Sequence, residues 1–247
     1  MRAKGLVLCG GKGKRLRPLT FYFQKTMIPV GSRQKPLLEY IVRLMRYHGI
    51  HDIALLVDYK AEQVENYFGD GSRFGVRIQY VRDNPAFPGN AGALYNAYLL
   101  GVLDGFDEGL IYYGDILSNI NLSNLLSFHR ERGGEATIAL SKNYRVSVGV
   151  AEVQNSKVVG IKEKPVLDRY VVMGILVLNV ENIPLVKKII KEKGSADIMG
   201  DLIPALLQKG ARVNAYLSSA FWYDVGSLEK YEKLHDDEVD RIFSFLF

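Results

Sequence analysis

Cysteine is almost absent from this chain: among its 247 residues only Cys9 occurs, inside an apolar run that begins at Gly5. One cysteine cannot build an intrachain disulfide framework or a cysteine metal site. No apolar run reaches the roughly 18 residues that cross a bilayer, and the N-terminal residues lack the charged start and apolar core of a signal peptide. These absences predict a protein of the reducing cytoplasm with no membrane partner.

A strong charge of one sign is also missing. The 32 basic and 27 acidic residues are interspersed, which leaves a formal net charge of +5. A basic balance also fits nucleic-acid binding, but the sequence has no homeodomain, zinc-finger, KH or RRM signature and no basic stripe with interleaved aromatics. The composition favours a small polyanionic substrate, and nucleic acid remains the minor alternative.

Apolar residues make up 48% of the chain, which is enough for a large core. In the first half, short β-branched runs alternate with helical patterns, and this alternation predicts right-handed βαβ units on a parallel sheet with ligands at the carboxyl ends of its strands. The segments are Ala3–Cys9, Leu37–His48, Ile53–Val57, Ala61–Tyr67, Val76–Val81, Ala91–Leu103 and Gly109–Tyr113.

The second half is richer in strand patterns, with few helices between them. Its predicted strands are Thr137–Leu140, Ser147–Val153, Val158–Lys162 and Val171–Leu178, followed by helices at Ile183–Lys193 and Asp201–Lys209, a strand at Arg212–Tyr216 and a last helix from about Ser227. We predict an α/β fold: a three-layer, Rossmann-like, mixed but mostly parallel sheet with helices on both faces and a small β-rich lobe. No linker or repeat divides the chain, so one domain is expected.

The first strand leads directly into a glycine-rich basic segment, Gly10–Thr20, with the sequence Gly-Gly-Lys-Gly-Lys-Arg-Leu-Arg-Pro-Leu-Thr. Its glycines allow backbone N–H groups to approach a ligand, and its cations suit a triphosphate. The segment is neither a dinucleotide fingerprint, since Leu16 stands where the third glycine belongs, nor a P-loop, since no Gly-Lys pair precedes Ser or Thr. The alternative is a surface turn with a solvated cationic face.

This segment and five others in order resemble the sugar-1-phosphate nucleotidyltransferases, also called nucleoside-diphosphate-sugar pyrophosphorylases, which include glucose-1-phosphate thymidylyltransferases and mannose-1-phosphate guanylyltransferases. The resemblance extends from about residue 3 to about residue 232. The other segments are Lys25–Val30 with Pro36–Tyr40, Tyr67–Gly71, Gly89–Leu94, Gly114–Asp115 with Glu163–Pro165, and Trp222–Gly226.

The resemblance implies an enzyme that transfers a nucleoside monophosphate from a nucleoside triphosphate to a sugar 1-phosphate, with Mg²⁺ as cofactor and pyrophosphate as the second product. It implies a nucleotide-binding half at about 1–115, a sugar-phosphate-binding half at about 116–232 and a tail at 233–247. Thymidine or uridine triphosphate with glucose 1-phosphate is the first expectation for the substrates, and guanosine triphosphate with mannose 1-phosphate the second. A homo-oligomer is a further expectation.

The same resemblance implies roles for four charged residues. Arg15 and Lys25 would be catalytic: Arg15 would hold the β- and γ-phosphates in a bidentate way, and Lys25 would meet the α-phosphate as a point charge. Asp115, which follows an apolar strand, and Asp224 would share the metal. Without the resemblance, Asp115 reads as an Asx turn or helix N-cap, and Asp224 as a cap for the helix near Ser227.

Binding residues follow from the resemblance in two groups. The nucleotide would contact Leu8, Gly10, Gly11, Gly13, Lys14, Arg15, Gly89, Asn90 and Gly92. The sugar phosphate would contact Gly149, Glu163, Lys164 and Gly174. The alternatives are that Asn90 is only the N-cap of its helix, that the Glu163–Lys164 pair is an exposed hairpin end, and that the two strand glycines mark bends.

The chain departs from the family pattern at several positions. Gln24 stands where proline commonly precedes the lysine, Asn90 where threonine is usual, and Val148 where a tyrosine often precedes the sugar-site glycine. The chain ends at Phe247 without the left-handed β-helix of many relatives, so an acetyltransferase activity is not expected. The aromatic tail is expected to pack on its own domain rather than on another subunit.

A second function belongs to another class: a catalytically silent subunit that senses nucleotide sugars and regulates a partner. Such a subunit usually loses one of the charged groups of the active site. Arg15, Lys25, Asp115 and Asp224 are all present, which favours the enzyme.

Overall fold

The alternating strands and helices are present in the structure, a computed structural model that describes residues 1–142, 144–146 and 148–247. The strands are β1 Ala3–Cys9, β2 Pro29–Val30, β3 Lys35–Pro36, β4 Asp52–Val57, β5 Arg77–Arg82, β6 Glu108–Tyr113, β7 Ile116–Ser118, β8 Ala136–Ser141, β9 Val150–Gln154, β10 Lys157–Lys162, β11 Val171–Asn179, β12 Val213–Leu217 and β13 Trp222–Asp224. The helices are α1 Leu37–Tyr47, α2 Ala61–Phe68, α3 Asn90–Leu99, α4 Leu122–Arg132, α5 Leu185–Lys193, α6 Ile203–Gln208, α7 Leu228–Glu232 and α8 Asp236–Ile242. None of the helices in the described part of the chain has the length and apolarity that a membrane crossing requires.

Seven strands form the central sheet in the order β12-β8-β11-β6-β1-β4-β5. Strands β6, β1, β4 and β5 run parallel to one another, and β12 is parallel to β8. Only β11 is antiparallel to its two neighbours, β6 and β8. The predicted α/β fold with a mixed, mostly parallel sheet is therefore confirmed.

Side chains of the central strands alternate between two cores, as the period of two residues in a strand requires. In β1, Val7 and Cys9 enter one core and Leu6 the other. The first core contains α1, α2 and α4, and the second contains α3, α5 and α6. The helices form a layer on each side of the sheet and bury both faces of its central strands. Strands buried in this way have continuous apolar runs in their sequence.

The β-rich lobe is smaller than the sequence suggested. Strands β8, β11 and β12 extend the central sheet, whereas β9–β10 form a separate antiparallel hairpin and β13 pairs with β7 in another small sheet. The predicted strand Ser147–Val153 begins in the structure at Val150, and Ser147 itself lies outside the described residues. Strand residues in the hairpin are mostly exposed.

Three helical regions differ from the prediction. The single helix predicted from about Ser227 is two short helices, α7 and α8. The helix α4 was not predicted at all, although Leu122, Leu125 and Leu126 form its buried face. The helix α3 ends at Leu99 rather than at Leu103, because the chain turns at Gly101, whose φ is +70°. Glycine adopts this conformation without the steric cost that other residues meet.

The aromatic tail packs on its own domain, as expected. Phe243 is buried, and the rings of Phe243 and Phe247 meet Tyr40 of α1 edge-on, with centroids 5.4 Å and 5.1 Å away. The guanidinium of Arg43, also on α1, lies 4.6 Å from the Phe247 ring centroid. Aromatic and cation–π contacts thus fix the tail against α1.

Candidate active site

A cleft of about 320 Å³ opens at the carboxyl ends of the parallel strands, where this class of sheet binds ligands. Its walls come from the ends of β1, β5 and β6, the turn before β2 and the start of α3. It is lined by Leu8, Gly10, Gly11, Gln24, Lys25, Thr26, Leu56, Asp83, Gly89, Asn90, Ala93, Tyr113, Gly114 and Asp115. Seven of these were predicted as site residues: Leu8, Gly10, Gly11, Lys25, Gly89, Asn90 and Asp115.

The glycine-rich segment follows β1 and lies at the mouth of the cleft. A Cβ on Gly11 would have nothing within 4 Å, so this backbone is open to a ligand. Gly13 has a φ of +57°, and a Cβ there would lie 2.7 Å from Cγ2 of Thr20. Gly13 is therefore needed for the turn itself, whereas Gly11 leaves room for a bound group.

Cations of this segment face solvent, while Leu16 anchors it in the core with no exposed surface. Among the residues that the structure describes, no ion pair or side-chain hydrogen bond engages Lys12, Lys14 or Arg15. Arg17 instead covers the ring of Phe21, 4.9 Å from its centroid. Three cations are thus available to an anionic ligand beside the cleft.

Lys25 reaches across the cleft to Asp115, and its Nζ forms an ion pair with Oδ2 of that residue. The two side chains are 13% and 23% exposed, so the pair is only partly screened by water. Asp115 lies two residues after the end of β6, and Lys25 lies in a 3₁₀ turn over Lys25–Met27. The structure therefore joins two predicted site residues that are 90 positions apart in the chain.

Asp224 approaches Asp115 through the strand pair β7–β13. Asp224 pairs with Ile116 in this ladder, and the N–H of Val225 donates to the carbonyl oxygen of Asp115 at 2.8 Å. The Asp224 carboxylate accepts a hydrogen bond from Nζ of Lys230 at 2.5 Å. Asp115 in the turn before β7 and Asp224 in β13 thus lie close in the backbone pairing, and each carboxylate is bonded to a lysine.

The alternative capping roles of these two residues are wrong. The oxygen of Ser227, not Asp224, accepts the N–H of Lys230 at the start of α7, with a distance of 3.4 Å. The helix that follows Asp115 is α4, and its cap is Asn121. Neither aspartate is needed to begin a helix.

The segment from Gly89 to Gly92 lies against its neighbours with no space for larger residues. A Cβ on Gly89 would lie 2.1 Å from the carbonyl oxygen of Ala196, and one on Gly92 would lie 2.0 Å from that of Phe87. The φ of Gly89 is +94°, in a region that only glycine adopts readily. Both glycines are explained by packing alone, whatever ligand binds in front of them.

Asn90 is not the N-cap of α3, since Gly89 holds that position and Asn90 is the first helical residue. Its amide Nδ2 donates to Oδ2 of Asp197 at 2.6 Å, and its Oδ1 accepts the N–H of Ile198 at 2.7 Å. The side chain therefore ties the start of α3 to residues 197–198 and does not cap the helix.

Asp83 and Tyr113 also line the cleft, and the sequence prediction missed both. Each lies at or just after the carboxyl end of a strand, a position that could have revealed them. Partial burial, with the Asp58 charge nearby, raises the pKa of Asp83 to about 6, although its side chain stays partly open to solvent. Burial raises the pKa of Tyr113 above its ordinary value, and its hydroxyl lies 3.4 Å from Nδ2 of Asn90.

Predicted sugar-phosphate residues do not line this cleft. Glu163 and Lys164 follow β10 with side chains 71% and 57% exposed, and a Cβ on Gly149 would lie 3.0 Å from Oε2 of Glu163. Nζ of Lys164 lies 3.7 Å from Oε1 of Glu163, so the two form an exposed ion pair. Gly174 lies apart from them in β11, with a φ of +74°.

Several predicted nucleotide residues stand behind or beside the cleft and do not line it. Gly13, Lys14 and Arg15 continue the glycine-rich segment outward, and Gly92 lies inside α3 behind the wall. Their contacts to a ligand remain predictions.

A fold with this cleft, a cationic glycine-rich segment and a lysine–aspartate pair at the carboxyl ends of the strands defines a class of α/β proteins that handle phosphorylated ligands. The chain matches the nucleotidyl transferase family over residues 4–241. It therefore belongs to the nucleotidyl transferase family, which confirms the resemblance seen in the sequence.

Two curated relatives illustrate the family. The chain is 32% identical over 243 residues to a UTP–glucose-1-phosphate uridylyltransferase of Synechocystis sp., an alignment covering 92% of this chain and 61% of that protein. It is 31% identical over 246 residues to a mannose-1-phosphate guanylyltransferase of Mycobacterium tuberculosis, covering 96% and 65% of the two. The chain thus spans less than two thirds of the length of these relatives.

One solved structure has the same fold over almost the whole chain. It is the crystal structure of a protein assigned as a glucose-1-phosphate thymidylyltransferase from Bacillus anthracis, in complex with sucrose. The TM-score is 0.76 at 24% sequence identity, and the superposition covers 98% of this chain and 99% of the other.

Proposed function

We propose that this protein is an enzyme that transfers a nucleoside monophosphate from a nucleoside triphosphate to a sugar 1-phosphate and releases pyrophosphate. The observation that carries the proposal is the single cleft that joins the end of β1, Lys25, Asp115 and the start of α3. Membership of the nucleotidyl transferase family supports it.

The reaction brings two anions together, so the protein must supply positive charge rather than covalent chemistry. The sugar phosphate oxygen attacks the α-phosphorus while the bond to the pyrophosphate oxygen breaks. We propose that Lys25 neutralises charge at the α-phosphate and that Arg15, with Lys14, holds the departing β- and γ-phosphates. The open backbone at Gly11, together with Gly10 and Leu8 of the cleft wall, would receive the nucleotide.

Asp115 and Asp224 fit a hard divalent cation, and we propose that they hold Mg²⁺. Asp224 lies in β13 and Asp115 in the turn before its partner strand β7, and each carboxylate is bonded to a lysine that a cation could displace. Within the described residues no group of three or more acidic, histidine or cysteine side chains converges, so phosphate oxygens and water would complete the shell. The ion would supply charge neutralisation of the phosphates and orientation.

The sugar phosphate is proposed to bind between the hairpin β9–β10 and α7. Glu163 would accept hydrogen bonds from sugar hydroxyls, and Lys164 would meet the phosphate on the side of Asp224. Gly149 lies against Glu163 and belongs to the same surface, whereas Gly174 would line the far side. In this arrangement residues 1–115 form a nucleotide half, residues 116–232 a sugar-phosphate half and residues 233–247 a tail, within one domain.

For the substrates we propose our first expectation, thymidine or uridine triphosphate with glucose 1-phosphate. Guanosine triphosphate with mannose 1-phosphate is the alternative. Relatives named for a uridylyl and for a guanylyl transfer are similarly close in identity, so assays have to include both pairs. The regulatory subunit has no particular observation in its favour. Cytoplasmic location and homo-oligomerisation remain predictions.

The test is a matrix of pyrophosphate release with Mg²⁺, crossing five nucleoside triphosphates with glucose, mannose, galactose and N-acetylglucosamine 1-phosphates. We expect release that requires one triphosphate and one sugar phosphate together, and that falls at least about 100-fold but stays measurable in Lys25→Met. Release from a triphosphate alone, or no release from any pair while nucleotide sugars bind, would contradict the proposal.

A further inference from the structure

Gln24 lies directly beneath the cleft, and its side chain has no exposed surface. A buried amide carries two donors and two acceptor sites that must find partners inside the protein. Gln24 immediately precedes Lys25, the cation that pairs with Asp115 across the cleft. Its contacts therefore bear on how Lys25 is held.

The amide bridges the end of β1 and the turn that carries Lys25. Its Nε2 donates to the carbonyl oxygen of Cys9, the last residue of β1. Its Oε1 accepts from both the N–H and the hydroxyl of Thr26, at 2.6 Å each. Because a backbone N–H can only donate and a carbonyl can only accept, these partners fix the orientation of the amide.

The backbone of Gln24 is held by a separate contact. Its N–H donates to Oε1 of Gln63 on α2 at 2.6 Å, and Nε2 of Gln63 donates to the carbonyl oxygen of Tyr22 at 2.6 Å. The φ of Gln24 is −62°, which any residue can adopt. The buried amide and the Gln63 contact are thus two independent restraints that substitution can separate.

We infer that Gln24 is a positioning residue for Lys25. Its amide fixes the 3₁₀ turn Lys25–Met27 against the end of β1, and so sets where the ammonium of Lys25 stands relative to the α-phosphate. A group that must lie within hydrogen-bond reach of the reacting phosphate loses most of its effect when displaced by about 1 Å. This inference rests on the proposed function of Lys25.

A double-mutant cycle tests the inference. Gln24→Met keeps the length of the side chain but leaves the partners at Cys9 and Thr26 unbonded, and we expect kcat to fall about 10-fold with the KM for sugar phosphate within about 2-fold. In a Lys25→Met background the same substitution is expected to change kcat by less than about 2-fold, because Gln24 then has no cation to position. An equal loss in both backgrounds would overturn the inference.

Gln63→Met is the matched control, since it removes the contact to the backbone N–H and leaves the amide bridge intact. Its kcat should stay within about 2-fold of the parent. If it lowers kcat as much as Gln24→Met, the backbone contact and not the amide positions Lys25.

Gln24→Glu serves if Gln24→Met does not fold. It keeps the acceptor for Thr26, and only its protonated form can donate to Cys9, so its kcat relative to the parent should rise as the pH is lowered from 8 to 6. A ratio that does not change with pH, at a value well below one, would count against the amide bridge. If the parent releases no pyrophosphate, the proposed function fails, and the same cycle measured in the Kd of the triphosphate tests the inference separately.

Discussion

Gly89 and Gly11 both line the cleft, yet an added methyl group should affect a different property of the protein at each of the two positions. A Cβ at Gly89 meets the backbone oxygen of Ala196 at 2.1 Å, while a Cβ at Gly11 has nothing within 4 Å. Gly89 also has a φ of +94°, whereas the φ of Gly11 lies outside the left-handed region. We expect Gly89→Ala to lower stability and Gly11→Ala to lower affinity.

The loss at Gly89 has two sources. The backbone conformation costs about 1–2 kcal/mol in a residue other than glycine. Separating the new methyl group from Ala196 requires a shift of about 1 Å in close-packed structure, and overpacking of this kind costs about 1–3 kcal/mol. The sum is about 2–5 kcal/mol, which lowers the Tm by about 4–20 °C in a chain of this length.

Thermal unfolding without ligand and titration with the triphosphate give the two readouts. The Tm of Gly11→Ala should stay within about 2 °C of the parent, because its methyl group enters open space, while the Kd of the triphosphate rises about 10-fold. A Gly89→Ala variant as stable as the parent, or an equal Tm loss in both variants, would refute the packing argument.

Three further predictions concern charge. Asp115→Asn and Asp224→Asn should each lower kcat by at least about 100-fold while circular dichroism shows an intact fold, and near-normal rates in both would remove the proposed metal role. Arg15→Lys should slow turnover about 10-fold, because a point charge cannot reproduce the bidentate fork, and an unchanged rate would return Arg15 to the solvated surface. The raised pKa of Asp83, about 6, means that the free energy of unfolding falls as the pH rises from about 4 to about 6. Asp83→Asn should therefore raise the Tm above pH 6 but not near pH 4. Asp52→Asn should instead lower the Tm at neutral pH, because the hydrogen bond from Arg77 lowers the pKa of the Asp52 carboxylate. Equal pH profiles for Asp83→Asn and the parent would contradict the shift.

Local pattern was enough to predict the parallel strands and the segments that follow them. The strand β1 was predicted with its observed bounds, Ala3–Cys9, because it is an unbroken apolar run that ends at glycines. The same edge of the sheet then had to carry Asp115, which follows an apolar strand, whereas Lys25 was predicted from the family resemblance. The helix α4 carried a readable signal too, in the spacing of Leu122, Leu125 and Leu126, and was missed because the strand patterns on either side dominated that region.

Contacts between distant segments could not be predicted in this way. Nothing in the residues around Gln24 indicates that its amide meets the carbonyl oxygen of Cys9, since the contact exists only after the turn has folded over β1. The raised pKa of Asp83 depends likewise on its burial in the folded chain and on the nearby charge of Asp58, which follows another strand. A residue that departs from the family pattern, such as Gln24, indicates that its position is unusual. It does not identify the residue that its side chain contacts.

The two sides of the cleft are held differently, and this difference bears on selectivity. At the start of α3, Asn90 is bonded to residues 197–198 and Gly89 lies against Ala196. Beside the cleft, in the glycine-rich segment, no ion pair or side-chain hydrogen bond within the described residues holds the cations Lys12, Lys14 and Arg15. A wall fixed by its own protein contacts discriminates between bases by shape, because it does not adjust to the wrong one. Charged groups that have no protein partner bind any triphosphate alike, so under the proposed function the choice of base is predicted to come from the wall at Gly89 and Asn90 and not from the phosphate side.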